Sequence, residues 1–158
     1  MIKIYYTFSN PESESFIKAS LRLFTGKDSF NIKRTENGKP YTEGVEFSLS
    51  HTDGLTVCAV SDSPVGVDCE KVRSVNSKEK IISRFLNETV KTISDEEFFQ
   101  KWTAFESRVK YYGEKITDCP SVRKNEVFTD TFKIENFIIS VSAGTKTEIV
   151  KENVYDSF

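Results

Sequence analysis

One stretch, residues 94–112, limits what this chain can become. It runs Ser94-Asp95-Glu96-Glu97-Phe98-Phe99-Gln100-Lys101-Trp102-Thr103-Ala104-Phe105-Glu106-Ser107-Arg108-Val109-Lys110-Tyr111-Tyr112. Ser94, with Glu97 three positions on, has the form of a capping box, and Gly113 stands where a helix of this length would end. Wound at roughly 100° per residue, Phe98, Phe99, Trp102, Phe105 and Val109 share one face. Glu106 falls on that face too, between the directions of Phe99 and Trp102. A carboxylate placed there is expected to be buried, and a buried charge needs a partner, a proton or a metal ion. Lys110, one turn on, is one available partner. The other reading is a cation that Glu106 shares with carboxylates from elsewhere in the chain.

With 158 residues the chain suits one domain, 1–158, or two small halves sharing a core, approximately 1–73 and 74–158. A net charge of −2 sets up no general attraction to nucleic acid or to a membrane surface. No apolar run approaches the ~20 residues needed to cross a bilayer. The first residues are too few and too polar for a signal peptide and read as a strand. Cys58, Cys69 and Cys119 are three in number with no paired spacing, so free thiols in a reducing, cytoplasmic setting are expected. One histidine and scattered cysteines offer no zinc pattern.

Taken in order, residues 1–8 read as a strand. Asn10-Pro11-Glu12 then starts a helix with Pro in its first turn, and Phe16, Ile17, Ser20, Leu21 and Phe24 keep helical spacing up to Gly26. Residues 30–34 alternate weakly, and Asn37-Gly38 is a turn signal. Residues 45–51, 55–61 and 65–70 read as three strands joined by tight turns, an antiparallel meander. Residues 77–85 suit a short helix. After the main helix, 128–132, 137–142 and 147–154 read as three more strands. The whole points to an α+β fold of two similar halves in a pseudo-twofold arrangement, each an antiparallel meander with helical cover.

The chemistry concentrates in a few side chains. Asp68 and Glu70, two apart on a strand, leave the same face, while Val65, Val67 and Cys69 leave the other. Two neighbouring carboxylates repel unless something positive separates them, and Lys71 and Arg73 are near in sequence. Together with Glu106 they make a three-carboxylate set that suits Mg²⁺, a hard ion that accepts a few carboxylates and keeps positions for water and phosphate oxygens. His51, the sole histidine, ends a strand beside Ser48 and Ser50, small donors that suit phosphate oxygens. Lys39, Lys33 and Arg34 add positive charge. There is no G-x-x-x-x-G-K loop and no Ser–His–acid order.

Read as a series, Gly38-Lys39-Pro40, Phe47-Ser48-Leu49-Ser50-His51, Val65-Gly66-Val67-Asp68-Cys69-Glu70 and Trp102-Thr103-Ala104-Phe105-Glu106-Ser107 with Lys110 and Gly113 resemble the Sfp-type 4′-phosphopantetheinyl transferases. The order and spacing match through about residues 37–113. The resemblance implies two α+β halves with coenzyme A in the cleft between them. It implies Mg²⁺-dependent transfer of phosphopantetheine from coenzyme A to a serine of an acyl or peptidyl carrier protein, with release of 3′,5′-adenosine bisphosphate by a monomeric enzyme. On that reading Asp68, Glu70 and Glu106 hold Mg²⁺, with Asp68, Glu106 and Lys110 as the catalytic set. Lys110 stabilises charge on the pyrophosphate, and Glu106 is also the candidate base. Ser50 and His51 line the phosphate end of the coenzyme site, and Lys39 and Pro40 lie beside the adenine. The alternative is a non-catalytic module of the same fold that binds a carrier protein or biosynthetic enzyme.

Two departures accompany the resemblance. The family usually carries Lys immediately before the helix glutamate, where it reaches a coenzyme phosphate. Phe105 stands there in this chain, so one charge-assisted contact, worth roughly 1.5–3 kcal/mol, is expected to be missing. The stretch before Gly38 is also short, with only Lys27, Lys33 and Arg34 to stand in for a basic grip on the coenzyme.

Overall fold

Ser94 caps the long helix as its sequence requires. In the computed structural model, which describes residues 1–117 and 126–154, its hydroxyl accepts from Glu97 N, and the Glu97 carboxylate accepts from Ser94 N. Gly113 closes the other end in a left-handed conformation, φ 67°. The described elements are β1 (Ile2–Thr7), α1 (Ser13–Thr25), β2 (Lys33–Arg34), β3 (Pro40–Tyr41), β4 (Glu46–Thr52), β5 (Leu55–Ser61), β6 (Val65–Lys71), α2 (Lys78–Leu86), α3 (Asp95–Tyr112), β7 (Phe128–Ile134), β8 (Phe137–Ala143) and β9 (Ile149–Asn153). The fold is α+β. Pro11 lies outside α1, whose cap is Glu12: its carboxylate accepts from the amides of Glu14 and Ser15. Asn10 instead clasps the β4–β5 turn, donating to Thr52 O and accepting from Gly54 N.

The strands divide into a four-stranded sheet, β4-β5-β1-β9, a three-stranded sheet, β6-β8-β7, and the small β2-β3 ladder. This departs from two consecutive meanders. β6 does not pair with β5 but crosses to the second sheet, where Val65–Lys71 runs antiparallel to β8. β9 does not pair with β8 but returns to run parallel to β1. Both sheets therefore draw strands across the expected boundary between residues 73 and 74. The physical reason is the core between them. Ile2, Ile4, Leu55, Val57 and Ala59 on the first sheet meet Val65, Val67, Cys69, Ile139 and Val141 on the second. The apolar face of β6 is covered by packing onto the first sheet rather than by lengthening it. The outer face of the first sheet packs against α1 through Tyr5, Phe47, Cys58 and Val60 against Phe16, Ile17 and Leu21. The order of layers is α1, sheet, sheet, α3.

The contact between α3 and its sheet is partly polar. Thr103 and Ser107 are four apart on the helix, a rise of about 6 Å, and Ser140 and Ser142 are two apart on β8, a rise of about 6.6 Å. Each pair of hydroxyls meets at 2.7 Å. Thr103 donates to Phe99 O and Ser107 to Ala104 O. A hydroxyl has one proton, so Ser140 donates to Thr103 and Ser142 to Ser107. In turn Thr131 donates to Ser140 and Thr129 to Ser142. Two parallel relays thus satisfy the buried hydroxyls of Thr103, Ser107, Ser140 and Ser142. They also fix the helix lengthwise on the sheet, which apolar contact alone does less sharply. At Gly66 the helix backbone rests directly on β6: a Cβ there would sit 2.0 Å from Ser107 O and 2.4 Å from Tyr111 N. That close approach brings the last turns of α3 over Asp68.

Candidate active site

Asp68 lies at the centre of the site. It projects from β6 toward α3 and is 3% exposed. Its Oδ1 accepts from Lys110 Nζ at 2.8 Å and from Ser50 Oγ at 3.0 Å. Its Oδ2 is buried and has no protein partner. Lys110 therefore pairs across to β6 rather than back along its own helix to Glu106. Glu106 is half-buried, less than its place on the helical wheel implied. Burial first, and then the charge of Asp68, push its carboxyl from 4.5 to about 7, against the opposing effect of Lys110. A proton on Glu106 gives it a donor toward the Asp68 carboxylate. A carboxyl that keeps its proton toward neutrality beside a second carboxylate is poised either for acid–base work or for a cation.

Glu70 lines the same cavity, but its Oε2 is held by Arg73 at 3.0 Å. Arg73 in turn stacks over Phe99 at 4.8 Å. Among the described residues no three His, Cys, Asp or Glu side chains converge as a ready metal cage. The expected trio of Asp68, Glu70 and Glu106 is thus a facing pair plus a third carboxylate tied to an arginine. The donor set still suits Mg²⁺. The hard oxygens of two carboxylates face one another, and the buried, unpartnered Oδ2 of Asp68 is an acceptor in want of a cation.

The cavity has a volume of about 470 Å³ and is walled by Arg34, Pro40, Ser50, His51, Asp68, Glu70, Glu106 and Lys110 among others. His51 is exposed at its rim. Arg34 donates to Gly38 O at 3.0 Å, which braces its guanidinium beside the opening. A neighbouring cavity of about 220 Å³ is lined by Gly38, Lys39, Pro40, Ser48, Leu49, Lys110 and Gly113. The two share walls at Pro40, Leu49 and Lys110. Lys39 does not extend freely into this space. Its ammonium donates to Lys110 O at 2.8 Å, where it meets the negative end of α3. Burial, with Lys110 nearby, lowers its pKa. Asn37 donates to Gly113 O at 3.1 Å. The Gly38-Lys39-Pro40 element therefore clamps the C-terminus of α3 and so sets the height at which Lys110 enters the site. Sequence reasoning missed this clamp and the Ser50–Asp68 bond, because both join segments far apart in the chain.

No family model matches the sequence. Three characterised relatives do. The chain is 32% identical over 91 residues to the 4′-phosphopantetheinyl transferase gsp of Aneurinibacillus migulanus, a match covering 52% of this chain and 38% of the relative. It is 29% identical over 101 residues to the 4′-phosphopantetheinyl transferase HetI of Nostoc sp., covering 58% and 43%. It is 27% identical over 114 residues to the 4′-phosphopantetheinyl transferase Sfp of Bacillus subtilis, covering 63% and 50%. Over 52–63% of its length the chain is similar to these 4′-phosphopantetheinyl transferases. It spans half or less of the length of these transferases.

The departure from the phosphopantetheinyl transferase pattern at Phe105 has a structural account. Phe105 is 3% exposed and faces away from the cavity. Its ring packs on Trp102 at 5.8 Å and Phe85 at 6.4 Å, in the cluster that seats α2 on α3. This position is part of the core, so no phosphate contact is made from it. Cys58 and Cys69 are free and buried, with thiols pushed up to about 12 by burial. Cys119 lies outside the described residues. No described helix is long and apolar enough to cross a membrane.

Proposed function

We propose that this protein transfers the 4′-phosphopantetheine arm of coenzyme A to a serine hydroxyl of an acyl or peptidyl carrier protein, releasing 3′,5′-adenosine bisphosphate. The observation that carries this reading is the meeting of Asp68, Glu106 and Lys110 in one cavity of a chain related to such transferases. The two helix-covered sheets correspond, on this reading, to the two halves of that fold. Asp68 and Glu106 would hold Mg²⁺, joined by Glu70 once it leaves Arg73. When bound, the ion supplies positive charge against the pyrophosphate oxygens.

The remaining work falls to the chain itself. Lys110 faces the cavity with its charge half committed to Asp68, and it stabilises negative charge as the phosphorus–oxygen bond to the leaving group breaks. Glu106, ionised when it faces the cation, is also the candidate base for the proton of the attacking serine. Arg34 and His51 at the rim meet the anionic coenzyme, and Pro40 gives an apolar wall toward the adenine. The protein is proposed to act as a monomer in the cytoplasm.

The second reading, a non-catalytic carrier-binding module, draws on specific observations. Lys39 and Ser50 are engaged inside the protein, and Phe105 replaces a phosphate-reaching lysine. One experiment separates the two: incubation with coenzyme A and a panel of apo carrier proteins, with Mg²⁺ or with chelator, followed by mass spectrometry. A metal-dependent mass gain on a carrier, lost in Glu106→Gln, is expected. Folded protein that modifies no carrier yet binds one tightly would replace the transferase reading with the module.

A further inference from the structure

We infer that Ser50 is a positioning residue that orients the Asp68 carboxylate, and not a contact for a substrate phosphate. The inference rests on the proposed function only in its kinetic arm. Ser50 is 6% exposed. Its oxygen accepts from Cys69 N at 3.2 Å, and its single proton goes to Asp68 Oδ1 at 3.0 Å. No proton is left to offer a phosphate oxygen. With Ser50 and Lys110 both on Oδ1, the carboxylate cannot rotate freely, and Oδ2 is left as the oxygen without a partner. Without Ser50, Oδ1 keeps only Lys110, and Asp68 is freer to swing and offer that ammonium both oxygens.

The seam between the two sheets supplies a built-in comparison. β4 and β6 run side by side without a shared ladder. Ser48 and Ser50, on one face of β4, accept from the amides of Val67 and Cys69 on β6. The two serines do the same structural task two residues apart, both in the buried seam. Only Ser50 also touches a carboxylate. Any effect common to both is the stitching of the sheets, and any effect peculiar to Ser50 is its hold on Asp68.

The test uses the full chain with Ser50→Ala, Ser50→Thr and Ser48→Ala. Mn²⁺ affinity is measured by electron paramagnetic resonance without coenzyme or carrier, alongside thermal melts and the steady-state kinetics of transfer. Partners that orient a metal ligand are worth about 10–100-fold. Ser50→Ala is expected to weaken Mn²⁺ binding and lower kcat by about tenfold, with KM for coenzyme A within twofold. Ser50→Thr restores Mn²⁺ affinity. Ser48→Ala lowers the melting temperature much as Ser50→Ala does but leaves Mn²⁺ affinity within twofold. The inference is overturned if Ser50→Ala raises KM with Mn²⁺ affinity and kcat unchanged. It is equally overturned if both alanine variants weaken Mn²⁺ alike, or if the unaltered protein binds no Mn²⁺. Should the unaltered protein transfer to no carrier, the proposed function fails, while the Mn²⁺ comparison between Ser48→Ala and Ser50→Ala still decides the role of Ser50.

Discussion

Replacing Glu106 by Gln should stabilise the metal-free protein above neutral pH. The carboxyl ionises at about 7 when folded against 4.5 when free, a gap of about 2.5 pH units. Each unit corresponds to about 1.4 kcal/mol, and residual solvent at a half-buried group trims the product to about 2–3 kcal/mol. The sign follows from which state binds the proton more tightly. Below pH 4.5 Glu106 is protonated in both states and contributes its full share. As the pH rises toward 7 the unfolded chain gives up the proton first, and the folded state loses that share. Glutamine keeps the shape without the charge. In thermal melts with chelator, the variant should match the parent at pH 4.5 and exceed it at pH 8 by roughly 5–10 °C, at about 2–4 °C per kcal/mol for a chain of this size. Equal melting temperatures at pH 8, or the same gain at both pH values, would refute the claim that burial and Asp68 together strain this carboxylate. On the proposed function the same variant is expected to lose transfer, so that stability and activity move in opposite directions, as for a strained functional group.

Two further outcomes follow from packing. Phe105→Lys should not restore a phosphate contact. It places an ammonium among Phe85, Trp102 and Ile82 and removes a buried ring, at a cost of about 3–5 kcal/mol in urea titrations. Parental stability together with tighter coenzyme A binding would show that the side chain reaches the cavity after all. Gly66→Ala drives a methyl into the backbone of α3, 2.0 Å from Ser107 O. Overpacking of this kind costs about 1–3 kcal/mol or more, and it should slow transfer by lifting Glu106 and Lys110 away from Asp68. An unchanged urea midpoint would contradict the close approach.

The parts of this molecule that could be read from sequence are those set by local rules. The ends of α3 followed from Ser94, Glu97 and Gly113, because capping groups act within one turn. The opposite faces of β6 followed from its alternation: Val65, Val67 and Cys69 enter the core while Asp68 faces α3. Alternation names a face but not a neighbour, so the pairing of β6 with β8 and of β9 with β1 was not readable. The same limit applied at the site. Arg73 can be named as a partner for Glu70 because it is three residues away, whereas helical spacing offers Glu106 to Lys110, which instead meets Asp68, 42 residues distant. The hydroxyl relays left a trace that was open to notice: Thr103 and Ser107 at helical spacing, and Thr129, Thr131, Ser140 and Ser142 at strand spacing.

The crossing of β6 and β9 between sheets has a mechanical consequence. Enzymes whose cleft lies between two separately threaded lobes can open and shut by bending one connection. Here the chain passes between the sheets twice, through the short links 62–64 and 144–148, and the two sheets share one apolar core. The gap that holds Asp68 is therefore of nearly fixed width. Whatever binds must match that width on arrival, and adjustment falls to long side chains at the rim, Arg34 and His51. Selectivity by fit to a rigid slot, rather than by closure around the guest, is what such interlaced threading imposes.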